Sequence, residues 1–226
     1  MQSRFSDRRD AGRELAGRLA GYRNRDDVVV LGLPRGGIPV AFEVARALDA
    51  PLDAFAVRKL GVPWHPELAM GALASGGVRV LNEEVIDALG VDERTIEEVT
   101  EREQRELDRR ERRYRGDRAA IEVTGRTAMV VDDGLATGAT MRAAVAALRR
   151  RKSAAIVIGV PVASSITCAE LACTVEDVVC GGTPDPFMAV GAWYSDFSPT
   201  SDDEVRRLLE HSPARPGAGA RVRSSP

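Results

Sequence analysis

The stretch "AMVVDDGLATGAT", Ala128 to Thr140, reads as an apolar strand that ends on two adjacent aspartates and gives way to a turn of small residues and then to the helical run "MRAAVAALRRR". A short run this apolar is a strand covered on both faces, and such strands belong to parallel sheets flanked by helices. Ligands of open parallel sheets bind in the crevice at the carboxyl ends of the strands. Asp132 and Asp133 fall at that end. The backbone N–H groups of Ala136, Thr137, Gly138, Ala139 and Thr140 then converge on the start of a helix, where the partial positive charge suits a phosphate. Thr137 and Thr140 add hydroxyl donors, and Gly138 lets the backbone approach the anion closely. Two carboxylates beside a phosphate repel it unless they address a neutral or cationic part of the same ligand. A ribose diol meets that demand, with its 5-phosphate in the turn.

Upstream, "DVVVLGLPRGG" is a second apolar strand breaking into a Gly-rich turn, "IPVAFEVARALDA" is helical, and "PLDAFAVRKL" is a strand ending in basic residues. Strand, helix, strand is the signature of a parallel βαβ unit, and "TAMVVDD", "GATMRAAVAALRRRK" and "AAIVIGVPVA" make another. The expected fold is α/β, a doubly wound and mostly parallel sheet. "SDRRDAGRELAGRLAGY" predicts an amphipathic first helix. Between Gly61 and Gly71, prolines predict a flexible loop, and a Gly-Gly turn beyond it a hairpin. "VDERTIEEVTEREQRELDRRERRYRG" predicts a long charged helix with a thin apolar line at Ile96, Val99 and Leu107, either solvated or packed on a partner subunit.

"VVDDGLATGAT" resembles the 5-phosphoribosyl 1-pyrophosphate (PRPP) motif of the type I phosphoribosyltransferases, in which an apolar strand, two acidic residues, an apolar spacer and Thr-Gly follow in order. Within that family, a subgroup of predicted phosphoribosyltransferases is similar across "LPRGG", "VRKLG…HPELAMGA" and this motif. The resemblance implies that Asp132 and Asp133 hold the ribose hydroxyls and reach Mg²⁺, if at all, through the ligand or water. It also implies that Ala136 to Thr140 cradle the 5-phosphate and that Arg35, Gly36 and Gly37 form the pyrophosphate loop. Arg58 and Lys59, at the Arg-Lys strand end, are candidates to stabilise the departing pyrophosphate, under a lid spanning Gly61 to Gly71 that carries His65 and Glu67. The segment 181–200, with the first helix, would form a hood over the acceptor, where Phe187, Trp193 and Tyr194 either stack on a base or simply fill the core. The implied activity is transfer of 5-phosphoribosyl from PRPP to a nitrogen nucleophile. The alternative is a PRPP- or nucleotide-binding regulatory module without turnover.

Composition narrows the field further. The 226 residues carry 32 basic and 34 acidic side chains, a formal charge of −2 that gives no bulk electrostatic case for nucleic acid or membrane as partner. A polar N-terminus and the absence of a long apolar run point to the cytoplasm. Cys168, Cys173 and Cys180 form no CxxC pair and are expected as buried spare thiols. Expected partners are PRPP, an unidentified base or amine, and a second copy of the chain in a homodimer. Residues 1–211 are expected as one domain with an insertion at about 61–116, and the Pro, Gly, Ser and Arg tail 212–226 as disordered.

Overall fold

The structure is a computed structural model that describes residues 5–212. Of the tail expected as disordered, 212–226, Ser212 is described and the rest lies outside the described residues. The chain runs through helix α1 (Arg8–Arg18), strand β1 (Val28–Gly32), helix α2 (Gly37–Leu48) and strand β2 (Leu52–Ala54). Strands β3 (Val57–Val62), β4 (His65–Ala74) and β5 (Val78–Leu81) and helices α3 (Glu83–Leu89) and α4 (Glu93–Arg115) follow. Then come β6 (Thr127–Val131), α5 (Ala139–Arg150), β7 (Ala155–Val162), α6 (Ser165–Ala172), β8 (Asp177–Gly182) and α7 (Asp202–Glu210).

Five strands make one parallel sheet in the order β2-β1-β6-β7-β8. Alternate residues of each strand face opposite layers. Val28, Val30, Met129 and Val131 pack under α1, α2 and α7, whereas Val29, Leu31, Ala128 and Val130 pack under α5 and α6. Both faces are therefore covered, which is why the strands read as unbroken apolar runs. The chain leaves β1 toward β2 on one side and returns through β6 to β7 and β8 on the other. The strand order thus reverses between β1 and β6, and the crevice at their carboxyl ends is where an open sheet binds its ligand.

Three sequence expectations need correction. "PLDAFAVRKL" is two strands: β2 closes the parallel sheet, and β3 belongs to a separate antiparallel sheet, β3-β4-β5. The stretch Gly61 to Gly71, expected as a loop, is mostly hairpin, with β3 turning at Pro63 and Trp64 into the ten residues of β4. Pro66 is tolerated there because β4 pairs with β5 only over Gly71 to Ala74, so no ladder bond to β5 is lost at the hairpin's outer end. The cysteines are not three spare thiols. Cys168 on α6 is joined to Cys180 on β8, which α6 packs against, and Cys173 is a free thiol that lies exposed. Alkylation of the denatured, unreduced chain should therefore modify one cysteine, and three after reduction; three without reductant would refute the bridge.

The charged helix α4 is not merely solvated. Ile96, Val99 and Leu107 are buried against the antiparallel sheet, together with Leu60, Met70 and Leu73. The buried Asp53 accepts from Arg115 Nε at 2.8 Å, tying the helix's end to the edge of the parallel sheet. No helix among the described residues is long and apolar enough to cross a membrane.

Candidate active site

At the reversal point the loop after β1 lies directly on the loop after β6. Leu33 N–H donates to the Val131 carbonyl at 2.9 Å, extending the β1–β6 pairing into both loops. A Cβ at Gly36 would stand 2.0 Å from Asp133 Oδ2, and one at Gly37 would stand 2.7 Å from the Val131 carbonyl oxygen and 2.9 Å from Asp132 Cα. Only glycines fit between the loop and the acids. The two motifs read separately from sequence, "LPRGG" and the acidic pair, are thus in van der Waals contact. Arg35 stands at the loop's outer edge, half exposed, with its guanidinium 3.8 Å from Asp202.

The acids differ in their surroundings. Asp132 is half-buried, and its Oδ1 accepts from the Asp133 N–H at 2.9 Å. Burial and the neighbouring Asp133 charge push the Asp132 carboxyl well above the ordinary carboxylate range. Asp133 is also raised by burial, opposed by Arg8, whose Nε donates to Oδ2 at 2.8 Å. Tyr194, buried as the core reading of the hood aromatics had it, donates its hydroxyl to the Asp133 carbonyl at 2.5 Å. Phe187 and Trp193 are partly buried. Trp193 lines a cavity of about 80 Å³ with Phe5, Gly181 and Gly182, at the carboxyl ends of β7 and β8.

Downstream, the turn before α5 keeps its amides available. The Ala136 carbonyl accepts from Thr167 Oγ1 at 2.7 Å, and the Thr137 carbonyl accepts from Arg142 at 3.3 Å. In a trans peptide C=O and N–H point apart, so the N–H groups of Thr137 and Gly138 face away from α6 and Arg142. Among the described residues, no acceptor takes up the N–H of Ala136, Thr137 or Gly138. Ala139 and Thr140, the first residues of α5, have no acceptor within the helix for their N–H groups. Gly138 has φ of +70°, and a Cβ there would stand 2.7 Å from the Thr167 methyl, so that a side chain would be strained and crowded.

Lys59 and Arg58 part company. Lys59, with Ala139 and Thr140, lines a cleft of about 330 Å³ between the antiparallel sheet and α5. Arg58, the next residue along β3, takes the other face and donates to Glu103 of α4 at 3.0 and 2.5 Å. Arg58 thus pairs with α4 on the face of β3 opposite the one that Lys59 turns to the cleft. His65 and Glu67 are exposed near the hairpin tip, where Trp64 and Leu68 are also exposed.

The sequence reading missed Arg8 and took Tyr194 for part of the hood only. Both act across the fold, 125 and 61 residues from Asp133. Two hard carboxylates stand together at Asp132 and Asp133. An ion that is usually held by one or two carboxylates plus substrate phosphates and water fits such a pair.

The phosphoribosyl transferase domain family matches residues 4–178. Two Mycobacterium tuberculosis proteins, each named "Putative phosphoribosyl transferase", are 50% identical over 208 residues, covering 92% of this chain and 47% of theirs. The chain thus spans about half the length of these curated relatives. The crystal structure of TT1426 from Thermus thermophilus superposes with a TM-score of 0.81 at 42% identity, covering 91% of this chain and 97% of that one.

Proposed function

The chain belongs to the phosphoribosyl transferase family, and from that premise we propose that it moves 5-phosphoribosyl from PRPP to a nitrogen nucleophile, a nucleobase or related amine, with release of pyrophosphate. The observation that carries this reading is the contact of the "LPRGG" loop with the acidic pair at the strand-order reversal, beside a turn whose amides are free. In the proposed complex the amides of Ala136 to Thr140, with the Thr137 and Thr140 hydroxyls, hold the 5-phosphate. Asp132 and Asp133 accept from the ribose diol and place negative potential beside the ribosyl carbon as it becomes positive. Arg35, the Gly36 and Gly37 amides, and Lys59 hold the leaving pyrophosphate. The C1–O bond to pyrophosphate breaks as the C1–N bond forms, and the acceptor nitrogen loses its proton.

Asp132 and Asp133 would hold Mg²⁺ through the ligand or water, and the ion when bound supplies Lewis-acid neutralisation of the leaving group. The exposed hairpin tip, Pro63 to Leu68, would fold over the ligand and exclude water, which limits hydrolysis. We read residues 1–211 as one domain, with the hairpin and α4 as its insertion and α1 with segment 181–200 as its hood. A cytoplasmic homodimer is part of the same proposal.

Pyrophosphate release with PRPP, Mg²⁺ and a panel of purines and pyrimidines tests the activity. Tight PRPP binding with no release from any acceptor would instead mark a regulatory module. Arg35, half exposed, contributes little to stability. Arg35→Ala should therefore leave the melting temperature unchanged and weaken pyrophosphate binding about 10-fold, a charge-assisted hydrogen bond's worth, while ribose 5-phosphate affinity holds. Equal losses for the two ligands would displace Arg35 from the pyrophosphate loop.

A further inference from the structure

Arg8 occupies a position that local rules disfavour twice. It is the first residue of α1, where the helix dipole repels cations, and its side chain is only 11% exposed. Three partners offset those costs. Nε donates to Asp133 Oδ2 at 2.8 Å, Nη1 donates to the Ser198 carbonyl at 2.8 Å, and the guanidinium lies 3.9 Å over the Phe197 ring centroid. Phe197 and Phe5 in turn flank Tyr194, with ring centroids at 5.0 and 5.5 Å. Ser195 and Asp196 donate their N–H groups to the carbonyls of Phe5 and Ser6, pinning the segment to the start of α1.

We infer that Arg8 is a positioning residue of the sugar site, which fixes the Asp133 carboxylate and makes the seating of segment 194–198 and the grip on the ribose diol depend on each other. The inference rests on the reading of the acidic pair as the ribose site. Asp133 offers two oxygens, and Arg8 takes one. The carboxylate is thereby held in one rotamer with Oδ1 left for a hydroxyl. Without the guanidinium, two neighbouring carboxylates repel, and Asp133 has no partner to stop it swinging away. The same guanidinium is stacked on Phe197 and bonded to Ser198, so any shift of the acid on ligand binding moves the aromatic segment. A lysine cannot reproduce this, since its compact ammonium has no planar face to stack and no fork to span two acceptors.

The test titrates the full chain, its Arg8→Gln and Arg8→Lys variants with PRPP plus Mg²⁺, ribose 5-phosphate and pyrophosphate by calorimetry. It also follows hydrogen exchange of the peptide containing Ser195 and Asp196 with and without PRPP. Arg8→Gln should bind PRPP and ribose 5-phosphate at least 10-fold more weakly and pyrophosphate within about twofold of the parent. Arg8→Lys should recover part of the ribose 5-phosphate affinity. The parent should show a PRPP-dependent change in exchange at Ser195 and Asp196, and both variants should lose it. If Arg8→Gln fails to fold, the Arg8→Lys comparison decides by itself. Variants indistinguishable from a PRPP-binding parent, or equal losses for all three ligands, would overturn the role of Arg8 alone. A parent that binds none of the ligands would sink the ribose-site reading and this inference with it.

Discussion

Asp132→Asn should weaken PRPP binding about 10- to 100-fold and at the same time raise the melting temperature at neutral pH. The affinity loss follows from removing the proposed charged acceptor of a ribose hydroxyl, worth about 1.5–3 kcal/mol. The stability gain follows from where the carboxylate sits. Burial and the adjacent Asp133 raise its folded-state pKa above the ordinary 3.8, so the folded chain binds the proton more tightly than the unfolded one. Stability therefore falls as pH rises between 3.8 and the raised folded value, and above that value the folded chain bears the full cost of the buried charge. Asparagine removes that cost. The melting-temperature difference between variant and parent should widen from acid to neutral pH, which scanning calorimetry at a series of pH values measures directly. A difference that narrows with rising pH, or unchanged PRPP affinity, would contradict the assignment of Asp132. The neighbouring substitution should gain less. Burial raises the Asp133 carboxyl too, but Arg8 opposes the rise, and Asp133→Asn leaves the Arg8 guanidinium, 11% exposed, without its counter-charge. The two acids are equivalent in sequence pattern and unequal in energy.

That inequality marks what was legible before the structure. The strand cores Val28–Gly32, Thr127–Val131 and Ala155–Val162 were readable because both faces of each are covered, and the burial demand is written in consecutive residues. The acidic pair and the turn after it were readable as the link from a strand end to a helix start because that link is local, within Asp132 to Thr140. The division of "PLDAFAVRKL" was not. Phe55 N–H still bonds the Gly32 carbonyl, Ala56 N–H already bonds Ser75 Oγ, and no Gly or Pro between them signals that the chain has changed sheets. The Cys168–Cys180 bridge was hidden for a similar reason, since only the docking of α6 on β8 brings the two together. Arg58 and Lys59 were grouped by adjacency, whereas strand alternation separates them. Arg8 left only a faint signal, a cation at the first position of a helix, because its burial appears only in the structure.

Gly36→Ala should be the most damaging small substitution in the site. The backbone at Gly36 has φ −62° and ψ −33°, which alanine adopts without strain, so any loss must come from space. There is none. The added methyl would lie 2.0 Å from Asp133 Oδ2, 2.8 Å from its Cγ and 3.2 Å from Arg8 Nε. Asp133 cannot yield easily, because Arg8 holds its side chain and Tyr194 its carbonyl. The loop must lift off the acids instead, which separates the pyrophosphate and ribose subsites. Overpacking of this kind costs about 1–3 kcal/mol, or roughly 2–4 °C of melting temperature per kcal/mol in a chain of this size. On the proposed reading PRPP contacts both subsites and should lose about 100-fold in affinity, more than either ribose 5-phosphate or pyrophosphate alone, because the variant spoils their relative placement as well as each pocket. Gly17→Ala is the control, since its methyl meets nothing within 4 Å in the last turn of α1. It should stabilise the chain by about 0.5–1 kcal/mol and leave PRPP binding alone. A Gly36→Ala chain that melts and binds PRPP like the parent would show that the two loops do not touch in solution, and the site built on their contact would have to be abandoned.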